Sequence, residues 1–183
     1  MLPSLRISFA SESAIPALVE LVNRAYRGET SRQGWTTEAD LLDGPRTDEA
    51  DLRNHLTAPG TTFLLAYNSA GQLLGSVYLK KQHPDLYLGM LAVDPAQQAH
   101  GIGRKLLLAA EAYARQVGCA SILISVISVR HELIAWYERQ GFRATGEVLP
   151  FSIDASPSIP KQTLHLLLMR RKVDTAAEVG KSN

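Results

Sequence analysis

Apolar residues recur along this chain with two periods, one of strands and one of helices, and the order in which the periods change predicts the element order. Leu5–Phe9 is a run of strand length. Behind it Ile15, Leu18, Val19, Val22, Ala25 and Tyr26 fall on one helical face, with Ser13 placed to cap the helix. From Arg27 to Pro45 the period is lost among Gly, Ser, Thr and charged residues, with Trp35 the one large apolar group, which predicts a loop carrying at most a short helix. Thr47–Leu56 reads as a short helix stopped by Pro59-Gly60. Thr62–Tyr67 and Leu73–Lys80 are strand-forming runs joined by Asn68-Ser69-Ala70-Gly71, which predicts an antiparallel hairpin.

The second half repeats the alternation. Leu86–Val93 is nearly all apolar and predicts a central strand, with Gly89 marking a bulge or a close backbone approach. Arg104–Val117 places Leu106, Ala109, Ala110, Tyr113 and Val117 on one helical face and ends at Gly118. Ser121–Ile127 reads as a buried strand, and Ser128 is placed to cap a helix through Gln140, with Leu133, Trp136 and Tyr137 on one side and Gly141 at its stop. Phe142–Phe151 and Leu164–Met169 are the last strands. Ser152–Gln162 between them reads as an exposed Ser- and Pro-rich excursion. At 183 residues the chain suits one domain, expected over residues 1–173, with 174–183 a flexible tail.

Composition narrows the partners. Lys and Arg total 19 against 18 Asp and Glu, and neither sign runs in a block, so neither nucleic acid nor an anionic membrane is an expected partner; a small molecule is. The single cysteine, Cys119, excludes an intramolecular disulfide and a cysteine-based zinc cluster, and it has no neighbouring pattern of a nucleophile. The five histidines are scattered without metal-ligand spacing, so no metal is expected. With no signal-peptide pattern at Met1–Ala10 and no apolar run of bilayer length, the expected location is cytoplasmic.

The strongest local chemistry lies in Val93-Asp94-Pro95-Ala96-Gln97-Gln98-Ala99-His100-Gly101-Ile102-Gly103, between the central strand and a helix. Gly101 and Gly103 let the backbone approach a ligand, and the free N–H groups and dipole at the helix start favour a phosphate. A phosphate-binding loop of the nucleotidase type is excluded because no Gly-Lys-Ser/Thr ending follows, and Leu106 stands where a dinucleotide fingerprint has its third glycine. Alone, the pair of glycines fits a tight structural turn as well.

Gln98-Ala99-His100-Gly101-Ile102-Gly103, preceded by Leu-Ala-Val-Asp-Pro, resembles motif A of the GNAT superfamily of N-acetyltransferases. Downstream, Ile134-Ala135-Trp136-Tyr137-Glu138-Arg139-Gln140-Gly141-Phe142 resembles the family's motif B, and with the element order the resemblance runs from Leu5 to Val173. It implies an α/β fold: a single GNAT-like domain with a mixed, mostly antiparallel central sheet of about seven strands, flanked by helices and splayed at its central strands. The implied reaction moves an acetyl group from acetyl-CoA, the acyl-donor cosubstrate, to a primary amine by direct attack in a ternary complex. A small-molecule acceptor is the first expectation and a protein terminus or lysine the second. Longer acyl donors, and an acyl-CoA-binding sensor of the same fold without catalysis, stay open.

Residue by residue, the resemblance assigns Leu91, Ala92 and Val93 to the pantetheine arm and Gln98, Ala99, His100, Gly101, Ile102, Gly103 and Arg104 to the pyrophosphate, with Lys105 near enough to assist. It makes Tyr137 the acid that protonates the departing thiolate, a transfer over only about 1.5 pKa units in model compounds; the alternative is that Trp136 and Tyr137 merely pack a helix on the sheet. Arg130 stands where motif B often has a CoA-binding Asn, and Tyr87 where some members have a glutamate base. In the acceptor-covering segment Arg32, Trp35 and Glu38 are the candidate residues, with Glu29 and Asp40 as further carboxylates; the competing assignment has Thr36 or Thr37 capping a helix and Glu38 and Asp40 in its first turn. Members of the family often pair near the C-terminus, so a homodimer using Leu164–Met169 is a further expectation.

Overall fold

A computed structural model of the chain describes residues 4–152 and 157–174. Part of the excursion expected over Ser152–Gln162, and residues 175–183 of the expected tail, lie outside the described residues. Strand β1 (Arg6–Phe9) leads through a single 3-10 turn into helix α1 (Ile15–Tyr26), which buries Ile15, Leu18, Leu21, Val22 and Ala25. Ser13 does not cap it: Ala14 holds the cap position, Ser13 pairs with the Ser11 hydroxyl at 2.8 Å, and Pro16, with no N–H to leave unsatisfied, starts the first turn. The loop that follows carries α2 (Gly28–Ser31) and the short strand β2 (Leu42–Asp43). In α3 (Glu49–Thr57) the Asp48 side chain accepts from the Asp51 N–H at 2.8 Å, a side-chain cap in the usual sense.

Next come β3 (Thr61–Tyr67), β4 (Leu73–Gln82), β5 (Asp85–Val93), α4 (Ile102–Gln116), β6 (Ser121–Ile127), α5 (His131–Arg139), β7 (Arg143–Pro150), β8 (Ile159–Pro160) and β9 (His165–Lys172). Seven strands form one sheet in the order β1-β3-β4-β5-β6-β9-β7. Every neighbouring pair is antiparallel except β5 with β6. Ser128 does not cap α5, whose cap position is held by Arg130 without a side-chain cap; the Ser128 N–H instead closes β6 by donating to His165 O at 2.9 Å. The described residues of the expected excursion are mostly exposed, but Ser158 is buried and β8 pairs with β2. Leu164–Met169 falls mostly in β9, which has β6 on one side and β7 on the other, so this segment offers no free strand edge for dimer pairing.

Period-2 alternation sends β3 side chains to two cores. Phe63 and Leu65 pack with α1 and Leu52 of α3, whereas Leu64 and Ala66 pack with Leu106, Leu107 and Ala110 of α4. On β5 the same alternation is broken. Leu86 and Leu88 face the α4 core, but Met90 and Ala92 belong to the α1 core. The cause is a bulge: Ser76 pairs with Ala92 and Tyr78 with Gly89, so Met90 and Leu91 together oppose Val77, and Met90 takes a φ of 43°. The extra residue inverts the faces, turning Leu91 and Val93 toward the α4 side.

The sheet opens beside this bulge. β5 and β6 pair only at Asp85–Ser121, Leu86–Ile122 and Tyr87–Leu123, while β6 stays paired with β9 along its whole length. Asp85 ties the closed end, accepting from Ser121 Oγ at 2.8 Å and from Arg170 Nε and Nη2 at 3.1 and 3.0 Å. Beyond Tyr87 the strands part. Leu86, fully buried beneath α4 at this closed end, is the packing that holds them together. Leu86→Ala is expected to lower the unfolding free energy by about 2–5 kcal/mol, read from the shift of the urea midpoint.

Candidate active site

At the open end of the split, the turn between β5 and α4 is built by local chemistry. Asp94 accepts from Ala96 N–H at 3.0 Å and starts a 3-10 turn at Pro95–Gln97; Ala99 and Gly101 then take φ values of 66° and 77°. Such a conformation at Gly101 is strained for any residue with a Cβ. Among the described residues, no main-chain or side-chain group accepts from the N–H groups of Gln98, Ala99, His100 and Gly101, and those of Ile102, Gly103 and Arg104 make the open first turn of α4. A Cβ on Gly103 would meet only ordinary contacts with Trp136, at 3.5 Å, so packing within the protein does not require glycine there.

This turn borders a cleft of about 430 Å³. Leu91, Val93, Gln98, Ala99, Gly101, Ile102, Gly103, Arg104, Arg130 and Tyr137 all line it. Ala92 and His100 do not: Ala92 points into the α1 core, and His100 is exposed with Nδ1 3.1 Å from Gln97 O. Trp35 lies across the cleft mouth with its ring centroid 6.4 Å from that of Trp136, which also lines the cleft and is not a buried core residue. Gln98 holds Trp35 there, accepting its N–H at 2.9 Å through Oε1 while Nε2 donates to Val93 O at 3.3 Å.

A second cavity of about 400 Å³ lies on the other side of the split, lined by Arg27, Glu38, Arg46, His55, Tyr87, Ser125 and neighbouring apolar groups. The two spaces share Tyr26, Leu91, Arg130, Leu133 and Tyr137. Tyr26 donates to Leu91 O at 2.9 Å, and Tyr87, in the place of the family's glutamate, reaches across the parted strands to Ser125 Oγ at 3.0 Å. Burial, and then the Glu38 charge, push the Tyr26 hydroxyl up to about 12. Burial raises Tyr137 well above the ordinary phenol range, with neighbouring Tyr26 adding to the shift and Arg130 opposing it.

Glu38 is not free to hold an amine. Its carboxylate is buried between two guanidinium groups, accepting from Arg27 Nη2 at 2.9 Å and Nε at 3.3 Å, and from Arg130 Nη1 at 2.9 Å. Arg130, expected to face the cofactor, is thereby spent on Glu38 and on Thr36 Oγ1 at 2.7 Å. Arg27 also donates to Gly44 O and Ser158 Oγ, so the cluster ties α1, the covering loop and the segment before β8 together. Thr36 and Thr37 cap no helix; Thr37 Oγ1 accepts from Ala39 N–H in a turn. Arg32 lines neither cavity and pairs on the surface with Asp40 at 2.7 Å and Glu29 at 3.2 Å.

Sequence periodicity put Tyr26 on a core face and left His55 and Arg46 without a role. The spacing of Asp51 and His55 at i and i+4 was the available signal for one of them: His55 Nδ1 lies 2.8 Å from Asp51 O and 3.1 Å from Asp51 Oδ1. The Asp51 contact raises the His55 pKa above the ordinary imidazole value, against the pull of burial.

Removing one member of a buried charge cluster leaves the others unpaired. Glu38→Ala strands both Arg27 and Arg130, and is expected to cost about 3–5 kcal/mol in chemical denaturation, far more than Asp40→Ala in the exposed pair with Arg32.

Comparison with known proteins agrees with this geometry. Residues 16–142 match the acetyltransferase (GNAT) family. A mycothiol acetyltransferase of Saccharopolyspora erythraea is 34% identical over 131 residues, which are 69% of this chain and 39% of that protein, so the chain spans well under half of its length. Among solved structures, the ribosomal-protein-S18-alanine N-acetyltransferase of Escherichia coli has the same fold, with a TM-score of 0.70 at 17% identity over 98% of this chain and 99% of that one. The yncA structure from Salmonella typhimurium, which holds its cofactor acetyl-CoA, has a TM-score of 0.64 at 20% identity over 94% and 95% of the two chains. The family match takes in the bulged strand, the glycine turn and the Tyr137 helix, and the chain belongs to the GNAT acetyltransferase family.

Proposed function

We propose that the chain is an acetyl-CoA-dependent N-acetyltransferase that acetylates a primary amine of a small molecule by direct attack in a ternary complex. The observation that carries this is the meeting of two cavities at Tyr137 and Leu91. One is bordered by open N–H donors at a helix start, and the other by polar side chains. A donor and an acceptor can then approach one another from opposite sides of the sheet without either leaving its site.

The donor side suits a diphosphate linked to an amide-bearing arm. The N–H groups from Gln98 to Gly103 converge at the positive end of α4, Arg104 adds a mobile cation, and the exposed strand beside Leu91 and Val93 runs toward Tyr137. The acceptor nitrogen attacks the thioester carbonyl, the carbon–sulfur bond breaks, and the Tyr137 hydroxyl gives its proton to the departing sulfur. Burial of Tyr137 keeps it a phenol until that moment. Tyr137 recovers a proton as the amine loses one, so the cycle balances.

Among the described residues, no free carboxylate lines the acceptor cavity to act as base. Arg27, Arg46 and Arg130 face one glutamate there, and this excess of positive charge favours the neutral amine over its ammonium form. His55, with Nδ1 committed to Asp51, leaves Nε2 to receive the released proton, directly or through water.

Acetyl-CoA at about 100 times its dissociation constant should stabilise the fold by roughly 2.7 kcal/mol, or about 5–10 °C in Tm. In a thiol-release assay over a panel of amines, Tyr137→Phe is expected to keep that shift while losing about 10²-fold or more in kcat. Turnover unchanged in the variant would remove Tyr137 from the chemistry, and binding without turnover in the native protein would favour an acyl-CoA sensor.

A further inference from the structure

We infer that the acceptor is an anionic amine, a primary amine whose carboxylate is bound by Arg46 at the wall of the second cavity. This rests on the transferase reading above. The three arginines of that cavity differ in one respect. Arg27 and Arg130 are both paired with Glu38, Arg130 through one edge of its guanidinium with only Nε left without a hydrogen bond, whereas the Arg46 guanidinium, among the described residues, enters no salt bridge and no hydrogen bond.

Arg46 is nevertheless held in place. Asn23 Oδ1 accepts from the Arg46 N–H at 2.7 Å and the Thr47 N–H at 3.1 Å, and Asn23 Nδ2 donates to Thr47 O at 3.0 Å. The guanidinium packs over the ring of Tyr26 with Cζ 5.5 Å from its centroid, leaving its donor edge uncommitted. The Arg46 charge also acts on Asp51 and on His55 of the same cavity wall, but Asp51 is already taken by Thr47 Oγ1 at 2.6 Å and by His55. A planar fork of donors fixed at its root and free at its tip is suited to a carboxylate.

Its position sets the arrangement of the substrate. The same tyrosine whose face carries Arg46 donates from its hydroxyl to Leu91 O, at the junction with the donor cleft. A carboxylate on Arg46 therefore sits about one ring's length from the place of transfer, which suits an amine separated from its acid by a short chain. The charge of the cavity makes the same demand. With Glu38 cancelling one of three guanidinium groups, a simple alkylamine would meet a net positive wall, and a substrate carrying its own negative charge would neutralise it.

The test compares short ω-amino carboxylates with their primary amides, as acceptors in the thiol-release assay, for the native protein, Arg46→Gln and Arg46→Lys. The native protein should prefer the carboxylates by at least about 10-fold in kcat/KM. Arg46→Gln should lose about 10- to 100-fold on the carboxylates, chiefly through KM, and clearly less on the amides, so that the preference for the acid collapses while the acetyl-CoA thermal shift is kept; Arg46→Lys should recover part of the loss. Equal turnover of acids and amides by the native protein, or an equal loss on both in Arg46→Gln, would overturn the inference while leaving the transferase intact. Failure of both classes in the native protein, with turnover of other amines of the panel, would overturn this inference alone; failure of every amine in the panel would sink the transferase reading and this inference with it.

Discussion

The separation of β5 from β6 is the constraint from which the rest of the site follows. Two parallel strands that stayed paired along their length would leave no space between the α1 and α4 faces of the sheet. Here pairing stops after Tyr87 and Leu123, and the closed end is fastened by Asp85 with Ser121 and Arg170. Immediately past the last pair the bulge at Met90 reverses the side-chain alternation, so Leu91 and Val93 turn to the cleft and Ala92 to the opposite core. Without the bulge, Met90 and Ala92 would occupy the cleft wall in their place. Splay and bulge act together: one opens a passage through the sheet, and the other decides which residues border it.

What the sequence made legible was what depends on nearby residues. The glycine turn, its place between a strand and a helix, and the strand order of the hairpin are set within a few positions, and all are present in the structure. The bulge was half visible. Gly89 marked the spot, yet the extra residue lies at Met90 and Leu91, and in a strand apolar at nearly every position no alternation exists to betray a change of face. Caps were less legible than strands: Ser13 and Ser128 have the right side chains, but Pro16 and the β6 pairing with β9 determine where those helices start. Ser and Pro rightly suggest exposure for most of the segment around β8, but they do not disclose Ser158, which is buried where Arg27, a residue far away in sequence, donates to it.

The charged residues show the same division more sharply. Glu38 was a reasonable partner for an amine when considered alone, since nothing in the sequence says that Arg27 and Arg130 converge on it from α1 and from the start of α5. Arg130 lines the first cleft and at the same time has a partner within its own chain. Once these three are matched, the cluster becomes a fastening for the loop that carries Trp35, and the loop in turn is held to the glycine turn through Gln98. One set of ion pairs thus fixes the cover over the first cleft and, among the described residues, leaves the Arg46 guanidinium of the second cavity without an ion pair.

The environment of Tyr137 ties this electrostatic pattern to catalysis. The ring is packed edge-on against Trp136 and Phe142, and its hydroxyl lies where burial opposes a phenolate. A phenol whose pKa is raised gives up its proton less readily in the free protein, which weakens it as an acid toward a solvated thiolate. In the proposed reaction the sulfur that receives the proton would be released into the same desolvated space, and burial raises the pKa of a thiol for the same reason. The two shifts run in the same direction and largely offset, so the proton transfer stays close to balanced although both partners are buried. The acceptor's ammonium responds in the opposite sense, since burial and the surplus of guanidinium groups lower its pKa. Under the proposed mechanism a single feature, a buried junction with positive walls, would therefore keep the acid protonated and make the nucleophile easier to deprotonate.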